Sequence, residues 1–210
     1  MRFRRMFAVL AVAFAGLAIT STASANSVTL TYEYQNQQFY FSVNGSKTYT
    51  ALMCDAYDNK IYKGETWTAT VTPFLQGIAS SMFGPSMTLD YKAAGLIYKN
   101  MLSGTLTVLQ AQWAVWGLFS SNAQNNPLFA TYGGAATDAT YLSLAQTAAN
   151  SAYAGLVLYT PLNAKPGSGP QEFIGTSPTP AVPEPGGLTL FATGLLLLSF
   201  AIRRKFVKSQ

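Results

Sequence analysis

Val28-Thr-Leu-Thr-Tyr-Glu-Tyr34 alternates apolar and polar side chains along its whole length. A period of two marks a half-buried β-strand, because successive Cβ atoms point to opposite faces of a sheet. Gln38-Phe-Tyr-Phe-Ser-Val43 repeats the pattern, and Asn44-Gly45 follows it. That dipeptide is a hairpin signal, so residues 48–53 are the expected returning strand. Thr66-Trp-Thr-Ala-Thr-Val-Thr72 is rich in β-branched residues and stops at Pro73. Beyond it the period changes. Residues 89–102 and 105–119 have helical spacing, with Ser103-Gly104 as the break between them. Asp138 is a candidate N-cap for a third helix reaching about residue 153. Residues 156–159 and 172–174 read as short closing strands. Strands followed by helices predict an α+β fold, with an antiparallel β-rich N-terminal half packed with a helical half.

The chain of 210 residues has 13 Lys+Arg, 8 Asp+Glu, a formal charge of +5, one cysteine and no histidine. The charge is unevenly placed. Arg2, Arg4 and Arg5 stand at one end, and Arg203, Arg204, Lys205 and Lys208 at the other. Between them, residues 26–185 hold six lysines and all eight acids, a formal −2, and no arginine. Phosphate neutralisation needs clustered Lys and Arg, so nucleic acid is excluded as a partner. The missing histidine removes Ser-His-Asp chemistry and the usual general base. A single cysteine removes an intrachain disulfide and any Cys-rich metal site. No metal, cofactor or catalytic residue is assigned.

Both ends read as addresses. Residues 1–25 form a signal peptide: a charged start, an apolar stretch, then Ala23-Ser24-Ala25 as the small-x-small site for signal peptidase. The exported domain is expected to span residues 26–175. Residues 176–185 form a linker with Pro178, Pro180, Pro183 and Pro185. Residues 186–202 are an uncharged apolar run of 17 residues, the lower limit for a membrane helix. Residues 203–210 are a basic tail that stays cytoplasmic.

The order Pro183-Glu184-Pro185, apolar helix, Arg203-Arg204 resembles the PEP-CTERM sorting signal of Gram-negative bacteria that make exopolysaccharide. The resemblance covers about the last 29 residues. It implies an exosortase, a membrane-embedded cysteine protease, as the processing partner. It also implies export across the inner membrane, transient anchoring, and a final place at the cell surface or in the extracellular matrix.

Within the exported part, Cys54 ends the strand-like run Tyr49-Thr-Ala-Leu-Met-Cys54. From residue type alone, a lone cysteine is a small buried hydrophobe. On the helical wheel of residues 105–119, Gln112 sits at the centre of an apolar face with Val108, Leu109, Val115, Trp116 and Phe119. Gln110 falls on the opposite side with Thr107, Ala114 and Gly117, where solvent is expected. A buried carboxamide needs hydrogen-bond partners or costs roughly 1–3 kcal/mol. Either Gln112 finds backbone partners, or it no longer carries a free amide.

Ala111-Gln112-Trp113-Ala114-Val115-Trp116 resembles the apolar-Gln-x-x-apolar-Trp motif of bacterial thioester domains, with Val115 and Trp116 as its supporting positions. Leu52-Met53-Cys54 stands upstream where those domains carry their cysteine. Met53 before Cys54 and Asp55 after it depart from the family's usual neighbours. Residues 55–72 and Pro170-Gln171-Glu172-Phe173-Ile174 are similar to segments of exported PEP-CTERM proteins. The resemblance implies a cross-link between the Cys54 sulfur and the Gln112 side-chain carbonyl, formed with loss of ammonia. Such a bond acylates an amine or hydroxyl once, so it implies adhesion or attachment, not enzymatic turnover. With no histidine, Asp55 and Asp58 are candidate bases by proximity, or else two surface turn residues.

Two other classes remain open on the sequence. One is a non-covalent structural or carbohydrate-binding protein of an exopolysaccharide or biofilm matrix, with a free buried cysteine. Trp67, Trp113 and the tyrosines would stack on its sugars, unless they are core. The other is a hydrolase using carboxylates such as Glu33, Glu65 or Asp90, whose spacing shows no pair. A redox role for Cys54 would need an exposed thiol and has no resolving cysteine.

Overall fold

The computed structural model describes residues 26–35 and 38–177. The expected signal peptide with Ala23 and Ala25, the Pro183-Glu184-Pro185 tripeptide, the apolar run 186–202 and the Arg203-Arg204 end lie outside the described residues. Among the described residues, no helix is long and apolar enough to cross a membrane.

The alternating stretches form strands, as their period requires. These are β1 (Asn26–Gln35), β2 (Gln38–Val43), β3 (Tyr49–Cys54) and β4 (Thr66–Pro73), joined late in the chain by β5 (Leu156–Pro161) and β6 (Phe173–Thr176). They close an antiparallel barrel in the order β1-β2-β3-β6-β5-β4. Closure removes the exposed sheet edges that invite association. Asn44 and Gly45 take φ of 52° and 72°, as the hairpin signal demands. The last strand inserts beside β3, with Met53 opposite Ile174 and Cys54 opposite Phe173.

Strand alternation sorts the apolar residues into two cores. Leu30, Phe41, Leu52, Cys54, Trp67 and Phe173 belong to one cluster. Met53, Leu158 and Ile174, on the other strand face, join Tyr91, Ile97, Val115 and Leu118 from the helices. Gly175 makes the first cluster possible. A Cβ there would stand 2.3 Å from the Leu52 Cδ2 atom and 2.9 Å from the Tyr159 ring.

The helical half has α1 (Phe74–Gly77), α2 (Thr88–Leu102), α3 (Val108–Phe119), α4 (Ser121–Gln124), α5 (Pro127–Thr131) and α6 (Gly134–Thr147). The fold is thus mixed, with antiparallel strands and helices in the expected order. Several boundaries differ from the sequence reading. Helix α3 begins at Val108 because Thr107 is its N-cap, closed by a capping box with Gln110. Gln110 is therefore engaged in that box and half-buried, not simply solvated. Ala114 and Gly117, expected on an outer face, are buried, because α3 packs against α2 and α6 as well as β3. Asp138 is not an N-cap. The helix starts four residues earlier at Gly134, after Gly133 in a left-handed turn with φ 69°. It stops at Thr147, and Asn150–Tyr153 is a separate 3-10 turn.

Candidate functional site

The β2–β3 ladder runs from Ser42 opposite Tyr49 to Phe39 opposite Leu52. On its other edge, β3 continues toward β6, where the Asp55 N–H donates to the Glu172 carbonyl at 3.3 Å. Alternation of antiparallel bonds therefore turns the Cys54 N–H and C=O the other way, toward the side where the β2 ladder has ended. Gln112, on the second turn of α3, fills that position. The Cys54 N–H donates to Gln112 Oε1 at 3.3 Å, and Gln112 Nε2 donates to the Cys54 carbonyl at 2.6 Å. The carboxamide of α3 thus behaves as one more residue of the barrel ladder, and both residues are buried. Sequence reasoning named these two residues, and the fold brings them together.

The Cys54 thiol is fully buried, and its pKa lies well above the ordinary value. Loss of solvation is the main cause, followed by the charge of Asp55. The Trp116 indole and the Ala56 backbone act in the opposite direction. Trp116 Nε1 is buried without a hydrogen-bond partner, so its influence on the sulfur is that of a nearby dipole. A protonated, occluded thiol is protected from oxidation and alkylation.

Aromatic rings cap this end of the barrel. Trp116 meets Tyr57 at 5.2 Å, Trp113 at 5.1 Å and Phe39 at 6.2 Å between centroids. Phe39 in turn meets Phe173, which faces Cys54 across the ladder. Trp113 and Trp67 are core residues, which removes them as exposed sugar platforms. Trp116 and Tyr57 keep partial exposure at the rim. Val115 supports the site from behind, wholly buried in the helix-side core.

The two candidate bases have separate fates. Asp58 is an exposed anchor that accepts from Ser120 Oγ at 2.7 Å and Asn122 Nδ2 at 2.8 Å. Asp55 is fully buried, which corrects its reading as a surface turn residue. Neither of its carboxyl oxygens receives a donor, and its neighbour is a second fully buried carboxyl, Glu172. Two carboxyls that feel each other in a dry site do not both ionise readily. Glu172 Oε1 accepts from the Tyr91 hydroxyl at 2.5 Å, and Oε2 accepts from the Met82 N–H at 3.0 Å and from the Thr160 hydroxyl. Burial raises both carboxyls. For Asp55, the charge of Glu172 adds to that rise, whereas for Glu172 the bonds from Thr160 and Tyr91 oppose it. Burial and the neighbouring charge thus favour the protonated form of Asp55, whereas three donors favour the charged form of Glu172.

Sequence reasoning missed the partners of this pair. Glu172 was visible only as an acid between Gln171 and Phe173 at the start of a short closing strand. Asn59, also buried, was not singled out. Its Nδ2 donates to carbonyls of the 165–170 loop, and its Oδ1 accepts from the Gly167 N–H at 2.8 Å. Its own carbonyl accepts from Gln171 Nε2 at 2.6 Å. The segments 55–59 and 170–172 are thus locked together beside Cys54.

Of the carboxylates weighed for hydrolysis, Glu65 is engaged with the Tyr62 N–H at 2.9 Å and Glu33 lies on β1. Asp90 opens α2 and lines a cavity of about 380 Å³ with Gly117, Phe129, Asp138 and Leu142. That cavity shares no lining residue with the Cys54–Gln112 site. Among the described residues, no group of three or more His, Cys, Asp or Glu could hold a metal ion. No family model, curated protein or solved structure matches the chain, so both resemblances rest on the residues quoted for them.

Proposed function

We propose that this is an exported surface or matrix protein, sorted by a PEP-CTERM-type tail, that attaches to its target through a Cys54–Gln112 thioester. The observation that carries the reading is the carboxamide of Gln112 bound on both sides to the backbone of Cys54 itself. The acyl carbon and the nucleophilic sulfur thereby belong to groups held against each other in a dry site, which raises effective concentration. Closure joins Sγ to Cδ and releases the side-chain nitrogen as ammonia. The aromatic cap would shield the bond from water, while the half-exposed Trp116 and Tyr57 leave a rim at which a target can approach. Attack by an amine or hydroxyl expels the thiolate and leaves Gln112 joined to the target as an amide or ester. The protein is consumed in one event, so it is not an enzyme. Signal peptidase and an exosortase would act on its ends, and its target would be a surface protein or polysaccharide.

Intact mass tests this directly. Freshly made protein kept from amine buffers should weigh one ammonia less than its sequence, and methylamine should add itself to the lighter species. Because Cys54 is buried, thiol accessibility must be read in denaturant. Full sequence mass together with a thiol that alkylates completely on unfolding would sink the thioester.

One observation favours a second reading. The two backbone bonds satisfy the carboxamide as it stands, so Gln112 also works as a plain clamp between α3 and β3. The protein would then be a non-covalent matrix or carbohydrate-binding protein. Glycan binding that persists in Cys54→Ala at full sequence mass would support it.

A further inference from the structure

We propose that the cavity between α2, α3 and α6 is a binding site for a small organic ammonium ion, with Asp138 and Asp90 holding its charge. The cavity shares no lining residue with the Cys54–Gln112 site, and the inference does not depend on the thioester. Its volume of about 380 Å³ lies in the range of small-molecule sites.

Neighbouring helices build the walls. Ala135, Asp138, Ala139 and Leu142 recur at spacings of three and four along α6, so one stripe of that helix faces the space. Asp90 enters from the first turn of α2 and is half-buried. Phe129 on α5 closes the wall because two glycines leave room for its ring. A Cβ on Gly117 would stand 2.2 Å from that ring, and one on Gly134 would stand 2.1 Å from it.

The chemistry of the walls selects the ligand. Asp138 is only 7 % exposed, and its Oδ1 is buried without a hydrogen-bond partner. Its Oδ2 lies over Gly117, where an added Cβ would approach it at 2.8 Å. Among the described residues that line the cavity there is no lysine or arginine. Gln124 Nε2, the one side-chain donor of the lining, donates to the Gly117 carbonyl at 2.7 Å. The walls therefore offer acceptors and negative charge, and a ligand must bring donors and positive charge. Calcium takes six to eight oxygens, which two carboxyls among apolar walls do not supply. An ammonium ion asks for less. Its N–H donates to Asp138 in a charge-assisted bond. The Phe129 ring attracts a cation, and Leu118 and Leu142 take up its alkyl groups.

The probe is trimethylammonium chloride, titrated by calorimetry into full chain held in detergent and phosphate buffer. Its nitrogen carries one N–H and three methyl groups, so it forms no stable amide with a thioester. tert-Butanol, close in shape and uncharged, is the control. The titration is run at about pH 8, above the value of about 7 to which burial and then the charge of Asp90 raise Asp138. Wild type should bind the ammonium saturably, and tert-butanol about tenfold or more weakly. Asp138→Asn should weaken the ammonium about tenfold or more, and Asp90→Asn by less. Ala139→Leu keeps both charges but fills the cavity from an exposed wall position, and should abolish binding. Near-UV circular dichroism reports whether each variant folds. Wild type that does not bind, tert-butanol bound as tightly as the ammonium, or a folded Asp138→Asn that binds like wild type overturns the site. If Asp138→Asn does not fold, Ala139→Leu decides, and unchanged binding there overturns it.

Discussion

Two regions of this molecule remove carboxyls from water, and they do so differently. Beside Cys54, burial and the charge of Glu172 raise Asp55, and two hydroxyls and a backbone N–H fill the acceptor sites of Glu172. Between α3 and α6, Asp138 is also buried, yet its Oδ1 has no partner and it lines a cavity of about 380 Å³. Burial raises the pKa at both places. At Asp138 the rise reaches about 7, caused by lost solvation and then by the charge of Asp90. What the first region adds is direction: its hydrogen bonds favour the charged form of Glu172 and tie three other chain segments to it. The second has neither property, so the two should respond oppositely to substitution.

The largest effect is expected from Glu172→Ala. It strips an acceptor from Tyr91, Thr160 and Met82 together and leaves Asp55 facing a void. Breaking a buried polar network from one side costs about 3–5 kcal/mol. Urea denaturation should show a midpoint lowered accordingly with little change in slope. A loss below about 1 kcal/mol would mean that the network does not hold the two halves together, and the contrast with Asp138 would collapse.

The contrast also marks what the sequence could convey. Strands β1 and β2 were legible because alternation is a local property, and Asn44-Gly45 marked the turn from β2 to β3 for the same reason. Gln112 was legible as buried, and its pairing with Cys54 came from motif resemblance, not from periodicity. The wheel misjudged Ala114 and Gly117 because it assumes one buried face, while α3 is enclosed on several sides. Asp138 looked like an N-cap because a local rule cannot see that Gly133 already begins the helix. Asp55 looked like a turn residue because its partner, Glu172, arrives from the last strand. Nothing near either acid in sequence announces a meeting made by barrel closure.

Packing sharpens the same comparison at an intermediate scale. Gly175 sits in β6, and a Cβ there would meet Leu52 at 2.3 Å and Tyr159 at 2.9 Å. Gly117 sits beside Asp138, and a Cβ there would meet the Phe129 ring, which lines the cavity, at 2.2 Å and Asp138 Oδ2 at 2.8 Å. The first clash falls inside a closed barrel, the second beside open space into which the ring can swing. Gly175→Ala should therefore cost about 1–3 kcal/mol, the usual range for overpacking, and Gly117→Ala distinctly less. Thermal melts of the two variants side by side check the order. Equal losses would show the cavity walls to be as stiff as the barrel.

Asp138→Asn is the smallest perturbation, and its sign differs from the others. The folded carboxyl holds its proton up to about pH 7, whereas the unfolded one ionises near its ordinary value of 3.8. The unfolded state therefore releases protons first as pH rises, and wild-type stability falls through that window. Asparagine cannot ionise, so the variant lacks this loss. The two proteins should be nearly equal in stability at about pH 4, and the variant should lead by on the order of 1 kcal/mol at about pH 8, a figure reduced because solvent reaches the cavity. Melting curves at both pH values read the difference. A gap that does not change with pH would mean that Asp138 ionises in the fold as it does in water. It would then have found a donor or a cation in the cavity, and the two buried acid sites would be alike in being satisfied.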